Sequence, residues 1–112
     1  MVAGEPVIDM ALLEANTKYD GYTMTDEVVR RFWRVLGSLS PADQSKYVRY
    51  AWGRSRLPPA GQWTNKHTLS KSHRGDYSLP VAHTCFFQVE LPAYSTDERM
   101  LWGLSTALHW GA

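Results

Sequence analysis

The strongest constraint on the fold is a change of hydrophobic period along the chain. Val29, Phe32, Trp33 and Leu36 recur at i, i+3, i+4 and i+7, the spacing that lines one face of a helix. Thr23 and Asp26 stand before them at capping-box spacing, with Asp in place of Glu. Residues 37–40 break that pattern, and Ser40-Pro41 restarts it with a serine cap, a proline at the first helical position and Asp43 in the first turn. Tyr47, Val48, Ala51 and Trp52 form the second apolar face, and Gly53 marks its end. Later the period falls to two. Cys85, Phe87, Val89 and Leu91 share one parity and Phe86, Gln88 and Glu90 the other, as on a half-buried strand.

The remaining segments extend this reading. Asp9 caps a short helix through Leu12, Leu13 and Ala15, and Tyr19-Asp20-Gly21-Tyr22 reads as a turn. Residues 59–78 are rich in Pro, Gly, Asn, Ser, Lys and His, with Trp63, Leu69 and Tyr77 as scattered anchors. They read as a long solvated connection holding one or two short edge strands, one over residues 68–71. Ser95 and Glu98 form another capping box, and Leu101, Leu104, Ser105 and Leu108 stripe a final helix, with Trp102 off the stripe. Phe32, Trp33, Leu36, Val48, Trp52, Leu101 and Leu104 are the expected core. Helices first, then short strands around one more helix, define an α+β domain.

At 112 residues the chain fits one domain with a sizeable core. Twelve Lys and Arg against eleven Asp and Glu leave a net charge of +1, too little to steer nucleic acid or an anionic membrane. No stretch approaches the roughly 18 consecutive apolar residues of a membrane span. Residues 1–6 lack the basic and apolar regions of a secretory signal. A single cysteine forms no internal disulfide, so a reducing cytoplasmic or nuclear setting is expected. With one cysteine, and with His67, His73 and His109 at no compact ligand spacing, a structural zinc site is not expected.

Cys85 carries two readings. Free cysteine is commonly a small buried hydrophobe, and its parity with Phe87 points the thiol inward. A nucleophile requires instead that residues 79–85 form a loop with strand pairing from about Phe86, which Pro80 favours because it lacks an N–H. His83, on the parity of Cys85 in an extended chain, is a candidate base for the thiol or for an attacking amine, although a surface histidine without a role is the more ordinary case. Thr84, of opposite parity, is placed to hold the loop through the backbone. Arg54 and Arg56 follow a helix end, where arginine caps carbonyls or meets a carboxylate.

The segment Leu79-Pro80-Val81-Ala82-His83-Thr84-Cys85-Phe86, followed by Leu91-Pro92-Ala93-Tyr94-Ser95, resembles the active-site region of HECT-type ubiquitin ligases. Asn16-Thr17 with Tyr19, Gly21-Tyr22, Phe32-Trp33 and Gly53-Arg54-Ser55-Arg56-Leu57-Pro58 match the family upstream in the same order. The resemblance covers residues 8–108 and implies the family's C-terminal catalytic lobe, a compact α+β unit with a roughly four-stranded sheet flanked by helices. Residues 1–7 would then be a hinge remnant or an appended N-terminus, and residues 109–112 a short tail. The resemblance further implies that Cys85 takes ubiquitin from a conjugating enzyme as a thioester and passes it to a lysine of a protein substrate, without metal or nucleotide. Arg54, Arg56, Phe86 and Trp110 become candidate ubiquitin contacts, and a monomer is expected. Many members carry a phenylalanine near the end of a flexible tail; here that region reads His109-Trp110-Gly111-Ala112, with Trp110 as the candidate substitute. The competing reading is a non-catalytic module that binds ubiquitin or a partner and keeps Cys85 buried and inert.

Overall fold

The computed structural model describes residues 8–53, 57, 61, 63 and 66–110, with Trp110 described through its backbone alone. Helices α1 (Met10–Ala15), α2 (Glu27–Ser38), α3 (Pro41–Trp52) and α4 (Asp97–Trp110) surround a sheet of β1 (Thr17–Asp20), β2 (His67–Ser72), β3 (Val81–His83) and β4 (Gln88–Pro92). The strand order is β1-β2-β4-β3. β2 lies parallel to both β1 and β4, and β3 runs antiparallel to β4. This is the α+β architecture expected, and the stop signals on α3 act as read. Ser40 Oγ accepts from Asp43 N at 3.2 Å, and Gly53 takes the left-handed conformation (φ 83°) as its N–H bonds the Arg49 carbonyl. Asp9 caps α1 by accepting from Leu12 N at 3.0 Å.

Burial follows the two periods. Val29, Phe32 and Leu36 of α2, Tyr47, Val48 and Ala51 of α3, and Leu69, Phe87, Val89 and Leu91 of the sheet region are fully enclosed. Each buried large aliphatic or aromatic side chain contributes about 1.5–3 kcal/mol, so this cluster dominates the stability. Trp33 and Trp52 are half-buried and pack against it. On α4 the buried positions are Met100, Gly103, Leu104 and Ala107, whereas Leu101 is exposed. The expected stripe is therefore one residue out of phase at its start, Met100 taking the inward place expected of Leu101, while the ring of Tyr94 packs against Gly103.

Several local expectations are corrected. Residues 17–20 form β1 before the turn, which comes at Gly21 (φ 86°) where the backbone passes so close to Lys71 that a Cβ would lie 2.8 Å from its Cβ. The Thr23/Asp26 pair closes a turn ahead of α2 instead of capping it: Asp26 accepts from Thr23 N at 2.9 Å and from Thr23 Oγ1 at 3.0 Å, and the helix starts at Glu27. β2 is an interior strand, not an edge strand, since β1 and β4 flank it. Residues 81–83, expected as loop, pair with β4. The cap of α4 moves one residue on, Arg99 N donating to Thr96 Oγ1 at 3.1 Å, while Ser95 bonds Asp76 through both its N–H (3.0 Å) and its hydroxyl (2.5 Å). His109 and Trp110, expected to begin a tail, are the last residues of α4.

Candidate functional site

β3 ends at His83, and the chain then makes a single 3₁₀ turn over Thr84–Phe86, closed by Phe87 N donating to the Thr84 carbonyl at 3.3 Å. Phe87 sits in the left-handed region (φ 51°, ψ 47°). That conformation costs a bulky L-residue roughly 1–2 kcal/mol. The ring offsets this: Phe87 is fully buried, stacked on Trp52 at 5.1 Å and 13° and near-parallel to Trp63 at 5.8 Å and 10°. Its carbonyl accepts from Thr68 N at 2.9 Å, tying the turn to β2. Strand parity therefore begins after the turn, and the inward Phe87 and the outward Cys85 no longer share a face. Cys85 is exposed, and Phe86 is 65% exposed beside it.

The neighbouring residues take separate places. His83 directs Nε2 to Glu90 Oε2 on β4 at 2.6 Å, a diagonal partner across the β3–β4 pair. The extended geometry that would have set His83 and Cys85 side by side is replaced by the 3₁₀ turn. Thr84 is exposed, and its main-chain carbonyl accepts from Phe87 N to close the turn. Arg54 and Arg56 lie outside the described residues, as does the side chain of Trp110. Among the described residues no group of three or more His, Cys, Asp and Glu stands ready to hold a metal ion, and no helix is long and apolar enough to cross a membrane.

Beneath the turn lies a group the sequence did not single out. His67, the first residue of β2, is fully buried against Phe32, Trp33, Tyr47 and Phe87, with the Phe87 ring 5.1 Å away. Thr17 Oγ1 donates its proton to the Leu13 carbonyl at 2.7 Å, so its 2.9 Å contact with His67 Nδ1 has the ring N–H as donor. Nε2 is then left to accept from the Tyr47 hydroxyl at 2.6 Å. Every polar atom of the chain Tyr47–His67–Thr17 is satisfied with the imidazole neutral, and burial pushes its pKa from 6.5 down to about 3. Nothing in the spacing of His67 reveals this, because its partners come from α3 and β1.

The HECT-domain (ubiquitin-transferase) family pattern matches residues 1–112. The chain is 35% identical over 115 residues to the probable E3 ubiquitin-protein ligase HECTD2 of Mus musculus, covering 99% of this chain and 15% of that protein. It is 33% identical over 116 residues to E3 ubiquitin-protein ligase UPL2 of Arabidopsis thaliana, covering 97% of this chain and 3% of that protein. To E3 ubiquitin-protein ligase HUWE1 of Mus musculus it is 36% identical over 107 residues, covering 89% of this chain and 2% of that protein. The chain thus spans a small part of the length of these relatives. With the family pattern matched over residues 1–112, a part of the whole domain, and an α+β lobe that exposes its lone thiol, the chain belongs to the HECT-domain (ubiquitin-transferase) family.

Proposed function

We propose that this lobe carries ubiquitin as a thioester on Cys85 between a conjugating enzyme and a substrate lysine. The observation that carries the reading is the exposure of the chain's one thiol on a turn braced by the buried Phe87 ring and the half-buried Trp52 and Trp63 stacked on it. The Cys85 thiolate attacks the thioester carbonyl that joins ubiquitin to the conjugating enzyme; a new C–S bond forms, and the enzyme's cysteine leaves as thiolate. A substrate lysine amine then attacks the Cys85 thioester, the C–S bond breaks, and an isopeptide bond forms as the amine gives up a proton. A thioester is already activated, so the incoming thiol needs access and orientation more than a strongly depressed pKa. Among the described residues nothing hydrogen-bonds Sγ, which fits that demand.

The conjugating enzyme docks on the family's larger lobe, outside this chain, and Phe86, Arg54, Arg56 and Trp110 are proposed contacts for the carried ubiquitin. His83, held by Glu90, is proposed as an acceptor for the amine proton in the second step. The setting is the reducing cytoplasm or nucleus, where the thiol stays free. The non-catalytic alternative assumed a buried, inert Cys85, and its exposure removes that support.

The test uses ubiquitin bearing a thiol-reactive C-terminus on this chain, and charged conjugating enzyme on a ligase containing it. Parent protein forms a covalent adduct at Cys85 in the first assay and a reductant-sensitive thioester in the second. Cys85→Ala loses both while melting unchanged, and Cys85→Ser traps at most a reductant-resistant ester. A reductant-sensitive adduct surviving in Cys85→Ala, with cysteines of the larger lobe excluded, would place the nucleophile elsewhere.

A further inference from the structure

Behind the Cys85 turn, α3, β3 and the end of α4 enclose an open groove of about 730 Å³. Its lining is largely apolar, with Val81 of β3 and Ala107 and Leu108 of α4 among it, and Thr84, the residue before Cys85, also lines it. Three cations ring it: Lys46 and Arg49, one turn apart on α3, and Arg74 from the segment after β2. None of its described lining residues is acidic, and none of the three cations makes an ion pair among the described residues. The nearest carboxylate on α3, Asp43, is engaged by His109 at 3.5 Å. In a chain of net charge +1 this is a local concentration of one sign, and low-dielectric walls focus its field.

We infer that this groove receives an acidic, partly apolar extended segment of the protein that accepts ubiquitin, holding it so that a nearby lysine reaches Cys85. The inference rests on the proposed function. Charge complementarity selects an acidic occupant, and the apolar walls select a peptide over a nucleic acid, whose phosphates would meet the cations but leave Val81 and Leu108 unmatched. Docking beside the thiol converts the lysine's attack into an effectively intramolecular step.

The test has two arms. In the first, a fluorescein-labelled peptide alternating glutamate with leucine around one lysine is titrated into this chain and followed by anisotropy. Reversing the exposed cations together (Lys46→Glu, Arg49→Glu, Arg74→Glu) weakens binding by roughly tenfold or more, as does replacing the peptide's glutamates by glutamine, and added salt weakens it further. The neutral set Lys46→Gln, Arg49→Gln, Arg74→Gln gives a smaller loss in the same direction, with melting unchanged, while Cys85→Ser binds as the parent does. Equal binding of the acidic and glutamine peptides, no effect of charge reversal, or preference for a single-stranded RNA would overturn the inference. In the second arm, a ligase containing this lobe and charged on Cys85 discharges to the acidic peptide faster than to its glutamine counterpart. Charge reversal erases that preference and leaves discharge to free lysine unchanged. If no thioester forms on Cys85 while peptide binding stays charge-dependent, the groove stands and the proposed function falls. If the thioester forms and no peptide preference exists, the groove assignment falls alone.

Discussion

His67 gives the lobe an acid sensitivity that can be calculated and isolated. Folded, the imidazole is neutral, accepting from Tyr47 at Nε2 and donating to Thr17 at Nδ1, and burial holds its pKa at about 3 against an ordinary 6.5. The unfolded chain binds a proton at this ring below about 6.5 and the folded chain does not. Neutral burial is therefore fully compatible with folding above about 6.5, and stability is lost as the pH falls from there towards about 3. The slope is about 1.4 kcal/mol per pH unit, so moving from about pH 7 to about pH 5 removes about 2 kcal/mol. Asp76 and Asp97 do not contribute in this window. The Ser95 hydroxyl and the Arg34 guanidinium hold their carboxyls below the ordinary 3.8, so their stabilisation is complete above that value and lost only at lower pH. Urea unfolding of the parent and of His67→Gln at the two pH values subtracts every other group. The parent loses about 2 kcal/mol and His67→Gln less than about 0.5 kcal/mol. If His67→Gln is too unstable for this, the ring resonances of His67 in the folded parent serve, and they stay unshifted between the two pH values. An equal loss in both proteins, or a His67 ring that titrates near neutrality while the chain remains folded, would refute the burial argument.

Further outcomes follow from packing. Gly103→Ala drives a methyl group into the hydroxyl end of Tyr94, whose O–H donates to the Ser78 carbonyl, with ring Cε2 only 3.0 Å from the new atom. The substitution lowers stability by about 1–3 kcal/mol by thermal unfolding despite the gain in helix propensity, and a higher melting temperature would contradict the contact. Tyr47→Phe removes the donor to His67 Nε2 and leaves a buried acceptor unpaired, lowering stability by about 1–3 kcal/mol in urea. Trp52→Ala removes the ring stacked on Phe87 and costs about 3 kcal/mol or more by the same measurement, and an unchanged midpoint would reject the aromatic brace.

What could be read from the sequence was whatever is decided within one turn or one pleat. The Ser40-Pro41 start and Gly53 stop of α3 are local chemistry, and the inward parity of Val89 and Leu91 is fixed by the pleat. What escaped depends on distant partners. β1 is short and polar, and Thr17 meets His67 from 50 residues away. β2 carries His, Thr, Ser and Lys, so it read as an edge until its two parallel neighbours enclosed it, and parallel pairing has no hairpin turn to announce it. The site divided the same way. Resemblance singled out Cys85, but simple alternation put its thiol with the core, and only the left-handed turn at Phe87 separates the two. The capping box at Ser95 failed by one residue because Asp76, from a remote loop, captured Ser95 and left Thr96 to cap α4.

The backward step at Phe87 also sets how rigidly a cargo would travel. Only Phe86 stands between Cys85 and the fully buried Phe87 ring, which stacks against Trp52 and Trp63, so anything hung on Sγ would be attached by a short lever to a packed post. The swing available to such a tether is the freedom of one side chain and one 3₁₀ turn, not that of a floppy loop. Wherever the lobe turns, its burden turns with it. On the proposed function, aiming an acyl bond at an acceptor would then be a matter of orienting the whole lobe, with little left for the tether to search.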